Sequence, residues 1–278
     1  MRLGGPLFAE YDSPEQWCER LTEAGYTAAY CPVDIDASED EIDAYRQAAE
    51  SANITIAEVG AFGNNPIHPD PEQRDAAIEA CANHLALADA IGAQCCVNVA
   101  GSRRSDAWAG PHPENLTDET FDMIVESVHE IVDRVDPIDT YYTLETMPWI
   151  YPDSTEHYRK LLDTIDRDHV AVHFDPVNLI SSPQRYVGNV EVITTFVDEL
   201  GPHIQSCHAK DVQLTDELTV RLEECRPGTG GLDYHTLLSE LDTLTDVPVM
   251  LEHLPTEDEY RLAADYLRTV GDELGVTV

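Results

Sequence analysis

The sequence predicts an α/β protein built as one (β/α)8 barrel that spans residues 1–278. Short apolar runs alternate with longer amphipathic stretches along the whole chain, and eight such pairs can be counted. Most of the apolar runs are continuous, which is what the strands of a parallel sheet covered by helices require. No linker or low-complexity segment interrupts the repeat. Eight strand–helix units in a chain of 278 residues are typical of a closed barrel.

The first half of the chain contains four strand–helix units with clear boundary signals. Ser13 followed by Pro14 is an N-cap with proline in the first turn, and Gly25 ends that helix. Gly92 closes the third helix in the same way. The predicted strands are 2–5, 28–31, 54–60 and 94–100, and the predicted helices are 13–24, 38–52, 71–91 and 117–135.

The four strands of the second half share a further feature, since each ends in a side chain that can bind a metal ion. These residues are Glu145, Asp175, His208 and Glu252, spaced 30, 33 and 44 residues apart, about one strand–helix unit. The strands are predicted at 141–145, 170–175, 204–208 and 247–252, and the helices at 154–165, 189–200, 234–244 and 257–274. Because parallel barrel strands end at one mouth, we expect the four side chains to converge.

A doubly wound open sheet is the alternative architecture for the same alternation. The turn between the first strand and the first helix lacks the GxGxxG phosphate loop that such sheets often carry. The strand ends of a barrel also account for the position of all four candidate ligands. We therefore favour the closed barrel.

The four strand-end residues predict a site for a divalent cation. An unpaired carboxylate at the end of an apolar strand carries a large desolvation cost, which a cation would offset. A buried salt bridge is the alternative, although Lys210 is the only lysine near a strand end. Taken singly, Asp175 also suits a helix N-cap, and His208 suits a core position. Three carboxylates and one imidazole favour Mn²⁺, Mg²⁺ or Co²⁺, with Zn²⁺ as an alternative.

The charge balance is extreme, with 54 acidic against 16 basic residues and a formal net charge of -38. The acidic residues are spread over every predicted helix, which indicates adaptation to a salt-rich, halophilic cytoplasm more than binding of a polycation. The negative electrostatic field of such a surface also opposes binding to the phosphate backbone of nucleic acids. The chain has no run of about 18 apolar residues for a membrane span, and its N-terminus lacks the pattern of a signal peptide. We expect a cytoplasmic protein.

Several motifs resemble the sugar isomerase/epimerase superfamily of xylose isomerase-like TIM barrels, which includes ketose 3-epimerases, inosose dehydratase and endonuclease IV. The resemblance covers essentially the full chain and rests on five segments: 144–145, 173–178, 208–211, 226–234 and 251–252. It implies that Glu145, Asp175, His208 and Glu252 hold a divalent metal. It also implies that Glu145 and Glu252 remove and return a carbon-bound proton, giving an enediolate that the metal stabilises.

Other residues are candidates for contacts with the substrate. Lys210 could polarise a carbonyl or protonate a leaving hydroxyl, and a salt bridge to Asp211 or to a ligand is the alternative. Asn178 stands where ketose 3-epimerases carry a substrate-binding histidine; it can form hydrogen bonds but cannot titrate near neutral pH. Arg226 is a candidate for binding a carboxylate, phosphate or hydroxyl, and ordinary surface exposure is the alternative. Further candidates for the pocket lining are His173, Trp108, His112 and Trp149.

The expected function is metal-dependent isomerisation or epimerisation of a sugar or related polyhydroxy-carbonyl compound. A dehydratase on the same scaffold is the main alternative, because it begins with the same proton abstraction. Abasic-site cleavage is less well supported, since the resemblance associates it with a three-zinc cluster rich in histidine. A non-catalytic sugar-binding barrel is a fourth alternative. The expected partner is a small sugar-like molecule, and a homo-oligomer is compatible with the sequence.

Overall fold

The computed structural model describes residues 1–278 and contains a closed barrel of eight parallel strands. The ten strands of the chain are β1 (Arg2–Gly4), β2 (Ala28–Tyr30), β3 (Thr55–Gly60), β4 (Cys95–Asn98), β5 (Tyr141–Glu145), β6 (Val170–Phe174), β7 (Ile204–Ala209), β8 (Asp211–Leu214), β9 (Leu222–Cys225) and β10 (Pro248–Leu251). All except β8 and β9 belong to the barrel, and β10 closes it between β7 and β1. The predicted (β/α)8 barrel is confirmed, and the alternative of a doubly wound open sheet is wrong.

The helices begin and end close to the predicted boundaries. They are α1 (Pro14–Ala24), α2 (Glu39–Ala52), α3 (Pro71–Ile91), α4 (Asp118–Val135), α5 (Thr155–Ile165), α6 (Pro176–Leu179), α7 (Pro183–Val187), α8 (Asn189–Leu200), α9 (Tyr234–Asp242) and α10 (Glu257–Leu274). The Ser13 side chain accepts a hydrogen bond from the Gln16 N–H, as the N-cap signal predicts. Gly25 ends α1 in the left-handed region, with φ of 74°.

Apolar packing fills two regions of the barrel. Between the strands and the outer helices lie side chains such as Trp17, Leu85 and Phe196, and each buried side chain of this size contributes roughly 1.5–3 kcal/mol. Inside the barrel, Met250 lies beside Gly4 in the register of β1 and β10. A Cβ at Gly4 would meet the Met250 sulphur at 2.6 Å, so glycine leaves space for the methionine side chain.

Towards the C-terminal ends of the strands, the barrel interior becomes polar. Thr143, His173 and Ser206 are fully buried there, as are the candidate ligands of β5, β6 and β7. Buried polar groups need partners, so this end of the interior depends on the hydrogen bonds and charges described below.

Four short elements lie outside the predicted pattern. Strands β8 and β9 pair antiparallel and form a hairpin directly after β7. Helices α6 and α7 stand between β6 and α8, where the sequence predicts only a connection. The hairpin strand β9 is half exposed and carries two consecutive glutamates, so its sequence lacks an apolar strand signal. No helix has the length and apolar character needed to cross a membrane.

Candidate metal centre at the mouth of the barrel

The four predicted ligands lie together at the C-terminal end of the barrel. Glu145 is the last residue of β5, Asp175 follows β6 directly, His208 lies near the end of β7, and Glu252 follows β10. These strands are consecutive neighbours in the order β10, β7, β6 and β5. The strand spacing in the sequence therefore corresponds to a real convergence of side chains.

The ligand atoms surround a single point close to the His208 imidazole. His208 Nδ1 lies 3.1 Å from Glu252 Oε2, 3.6 Å from Glu145 Oε1 and 4.0 Å from Asp175 Oδ2. One donor atom from each of the four residues lies within 4.8 Å of the others. This spread matches donors arranged around one cation, since ligand–metal distances in proteins are about 2.0–2.6 Å.

The chemistry of these atoms also fits a cation. His208 Nδ1, Asp175 Oδ2 and Glu252 Oε1 are buried and form no hydrogen bond of regular geometry. Buried polar atoms normally have well-aligned partners, and a cation among these atoms would supply one to each of them. Asp175 also caps α6, because its Oδ1 accepts a hydrogen bond from the Asn178 N–H. Its other oxygen, Oδ2, is left to serve as a metal ligand. The four residues can therefore hold a divalent cation.

Lys210 is the positive charge nearest to the cluster. Its Nζ lies 2.8 Å from Asp175 Oδ2 and 2.7 Å from Glu252 Oε1, with only 2% of the side chain exposed. Glu224, on the β8–β9 hairpin, lies 3.3 Å from the same nitrogen. The sequence left open whether Lys210 pairs with Asp211 or with the predicted ligands. In the structure it pairs with the ligands Asp175 and Glu252. The ammonium thus contacts the same oxygens that a cation would use.

Burial and charge act against each other on the carboxylates. Burial alone would raise the pKa of Glu145, but the proximity and positive charge of His208 lower that pKa to about 2. Burial raises the pKa of Asp175 to about 7, since Lys210 offsets it only in part and Glu145 and Glu252 repel a further negative charge. A divalent cation in this position would relieve that repulsion.

Comparison with known proteins identifies the family. A family model described as the xylose isomerase-like TIM barrel matches residues 18–270. The chain belongs to this family. No curated protein sequence matches it significantly.

Solved structures with the same fold carry different activities. D-psicose 3-epimerase from Clostridium cellulolyticum, solved with D-tagatose, is 15% identical with a TM-score of 0.69, covering 97% of this chain and 99% of that chain. AsbF of Bacillus anthracis, described as the probable 3-DHS dehydratase, is 15% identical with a TM-score of 0.71, covering 97% of this chain and 98% of that chain. Endonuclease IV from Thermus thermophilus is 14% identical with a TM-score of 0.71, covering 98% of this chain and 100% of that chain. These likenesses establish the xylose isomerase-like fold.

Glu58, in the middle of β3, belongs to the centre although the sequence reasoning did not single it out. It is 1% exposed, and its two oxygens each lie 3.2 Å from a histidine Nε2, in His173 and His208. The Ser206 hydroxyl donates to the same carboxylate. Burial would raise the pKa of Glu58, but the two histidines hold it well below its usual range. A lone glutamate within an apolar strand was the available signal, since an isolated buried carboxylate is costly.

His173 and Asn178 contact protein groups of the centre. His173 has no exposed surface, and its Nε2 lies against Glu58, so its position favours a partner of Glu58 over the predicted contact with substrate. Asn178 Nδ2 donates to Glu145 Oε1 at 2.8 Å. Asn178 is half-buried and orients a ligand in this structure.

Asp211 organises the glycine-rich loop beside the centre. Its Oδ2 accepts from the backbone N–H groups of Gly228 and Gly230, and its Oδ1 accepts from those of Val212 and Leu232. A Cβ at Gly230 would lie 2.3 Å from Asp211 Oδ1, so the loop needs glycine to approach this carboxylate. Asp211 thereby fixes the loop that follows the hairpin.

The remaining predicted pocket residues contact other parts of the protein or line other cavities. Arg226 pairs with Glu259, 2.9 Å away, instead of pointing a free charge at the mouth. Trp108 is 39% exposed and stands against Phe62. His112 lines a separate cavity in the loop after β4, and Trp149 is half-buried against the core. The cavities that contain Trp108 and His112 include none of the four ligands.

Proposed function

We propose that the protein is a divalent-metal-dependent isomerase or epimerase that acts on a sugar or a related polyhydroxy-carbonyl compound. The observation that carries the proposal is the pair of carboxylates of Glu145 and Glu252, which lie 3.6 and 3.1 Å from His208 Nδ1 within one ligand cluster. The family and its solved members, among them a ketose 3-epimerase, support this chemistry.

Each residue of the cluster has a distinct role in this mechanism. Glu145, Asp175, His208 and Glu252 would hold the cation, which supplies positive charge next to the substrate oxygens and so stabilises the anion formed on proton loss. Glu145 and Glu252 are both ionised at neutral pH, because their pKa values lie below the usual range. One ionised carboxylate would take the carbon-bound proton, and the other, after gaining a proton from solvent, would return that proton on the opposite face; the first carboxylate then loses its proton to solvent.

The charges at the mouth favour an uncharged substrate over a phosphorylated or acidic one. Lys210 is engaged by Asp175, Glu224 and Glu252. Arg226 is engaged by Glu259. A phosphate or carboxylate group would therefore have to displace an existing ion pair, whereas hydroxyl groups need no counter-charge.

Dehydration is the second candidate, and the position of Lys210 favours it. Its ammonium lies 2.7 Å from Glu252 Oε1, so a proton donor stands beside a proposed base. After proton abstraction, this donor could protonate a β-hydroxyl that leaves as water. Abasic-site cleavage has less support, since only His208 supplies an imidazole to the four-ligand cluster and the net charge of -38 opposes a DNA partner.

Solvent exchange tests the shared first step. We expect purified protein with Mn²⁺, in high salt and D₂O, to incorporate deuterium into a neutral ketose or inosose, as measured by NMR and mass spectrometry. A product of unchanged formula indicates an isomerase, and loss of water indicates a lyase. Sugar phosphates should be poorer substrates than the matching neutral sugars.

Glu252→Gln should reduce the exchange rate by at least about 100-fold, because general-base catalysis contributes roughly 10²–10⁴-fold. Glu257→Gln is the matched control, since Glu257 is exposed at the start of α10 and should leave the rate unchanged. Exchange that survives in Glu252→Gln, or that needs no divalent cation, would contradict the proposed mechanism.

A further inference from the structure

Glu58 connects opposite sides of the barrel interior. It lies on β3, whereas its partners lie on β6 and β7, and β7 stands four strands away in the eight-stranded order. The two Nε2–O distances are both 3.2 Å and have hydrogen-bond geometry. Ser206 adds a third donor to the same carboxylate. All three donors, as well as Glu58 itself, are buried, so water cannot substitute for any of them.

His208 uses its two ring nitrogens differently. Nδ1 faces the three carboxylates of the ligand cluster, with Glu252 Oε2 nearest at 3.1 Å, whereas Nε2 faces Glu58 at 3.2 Å. A neutral imidazole carries one proton, and only the nitrogen without it can bind a metal. A carboxylate accepts a hydrogen bond and cannot donate one. When the ligands hold a cation, Nδ1 has to present its lone pair to that cation, so the imidazole proton would lie on Nε2, where Glu58 accepts it.

We propose that Glu58 is a positioning residue that fixes both the ring orientation and the Nε2–H tautomer of His208, so that Nδ1 is ready to bind the cation. This inference rests on the metal site of the proposed function. Glu58 is not one of the four ligands, and it acts through its contact with His208. The partner of a metal-bound histidine typically changes metal affinity by about 10–100-fold.

The second histidine explains why a carboxylate is needed at this position. Glu58 presents two acceptor oxygens to two N–H donors, one from His173 and one from His208. A glutamine of the same shape presents one acceptor and one donor. One imidazole would then face a donor and have to move its proton to Nδ1. Whenever that imidazole is His208, the metal-binding lone pair is lost.

A second cation among Glu58, His173 and His208 is the competing interpretation, since their donor atoms also lie within 4.8 Å of one another. The hydrogen-bond geometry at both Nε2 atoms favours protons over a metal at these positions. The two interpretations predict different stoichiometries, one Mn²⁺ per chain or two.

Calorimetric titration of metal-free protein with Mn²⁺ tests the inference without any substrate. We expect one site in the wild type, about 10–100-fold weaker binding in Glu58→Gln, and a smaller loss in Glu58→Asp, which keeps both acceptors on a shorter side chain. Ser206→Ala is the control, since it removes a donor to Glu58 and leaves the His208 contact in place. Circular dichroism establishes that each variant is folded.

The tautomer is measured by long-range ¹H–¹⁵N NMR on protein labelled with ¹⁵N-histidine and loaded with diamagnetic Zn²⁺. We expect His208 to carry its proton on Nε2 in the wild type and in Glu58→Asp, so the Asp variant tests the inference even if Glu58→Gln fails to fold. Wild-type affinity in Glu58→Gln, an Nδ1–H tautomer in the wild type, or two Mn²⁺ per chain would overturn it. A wild type that binds no divalent cation would overturn the proposed function as well.

Discussion

Removal of the Lys210 charge should affect the metal-free and metal-bound proteins differently. In the metal-free protein, Lys210→Met leaves Asp175 and Glu252 without the ammonium that lies 2.8 and 2.7 Å away. Breaking a buried ion pair of this kind costs about 3–5 kcal/mol, because a charge is left uncompensated. A bound cation would contact the same two oxygens and replace the lost charge. We therefore expect the destabilisation to be about 2 kcal/mol smaller with Mn²⁺ bound, which by linkage means roughly 30-fold tighter Mn²⁺ binding in the variant.

Urea unfolding with EDTA and with saturating Mn²⁺ measures the destabilisation of the metal-free and metal-bound proteins. Calorimetric Mn²⁺ titration measures the change in metal affinity. Lys160→Met is the control, since Lys160 is the only other lysine, is exposed, and stands 4.2 Å from the Phe121 ring centre. This substitution should lower the free energy of unfolding by no more than about 1 kcal/mol, with or without Mn²⁺. Equal destabilisation with and without metal, or weaker Mn²⁺ binding in Lys210→Met, would refute the idea that ammonium and cation share these oxygens.

Two further predictions concern Asp211 and Glu145. Asp211→Ala removes the acceptor of four backbone N–H groups and should lower the free energy of unfolding by roughly 3–4 kcal/mol, at about 1 kcal/mol per bond. Hydrogen exchange at Gly228 and Gly230 should accelerate, and unchanged exchange would contradict the assigned contacts. The pKa of Glu145 is lowered from 4.5 to about 2, so the carboxylate stabilises the metal-free protein above pH 4.5 and loses this contribution as the pH falls. The stability difference between wild type and Glu145→Gln, about 3 kcal/mol from this shift, should therefore shrink from pH 5 towards pH 2 in urea titrations, and a constant difference would contradict the shift.

Local signals were sufficient for most of the fold. Ser13 and Gly25 mark the ends of α1 because capping depends on a few adjacent backbone groups. The four ligands could be found for a related reason, since each stands where an apolar strand ends and parallel strands end at one mouth. The β8–β9 hairpin was missed because its strands are four residues each and β9, with two consecutive glutamates, has no apolar period.

The pairings within the site were less accessible from the sequence. Lys210 had alternatives of similar merit, since Asp211 is its neighbour in the chain and the ligands are distant. The structure pairs Lys210 with Asp175 and Glu252, while Asp211 accepts four backbone hydrogen bonds. Competition between near and distant partners is decided by side-chain direction, which strand spacing does not specify.

The sequence by itself determined the repeat of strands and helices, the helix boundaries and the four residues that converge at the mouth, because each depends on neighbouring residues or on a regular spacing. The tertiary structure alone decided which groups support that site. Glu58 meets His173 and His208 across the barrel, at separations of 115 and 150 residues. No local pattern encodes those contacts, since they arise only when the barrel closes and brings β3 opposite β7.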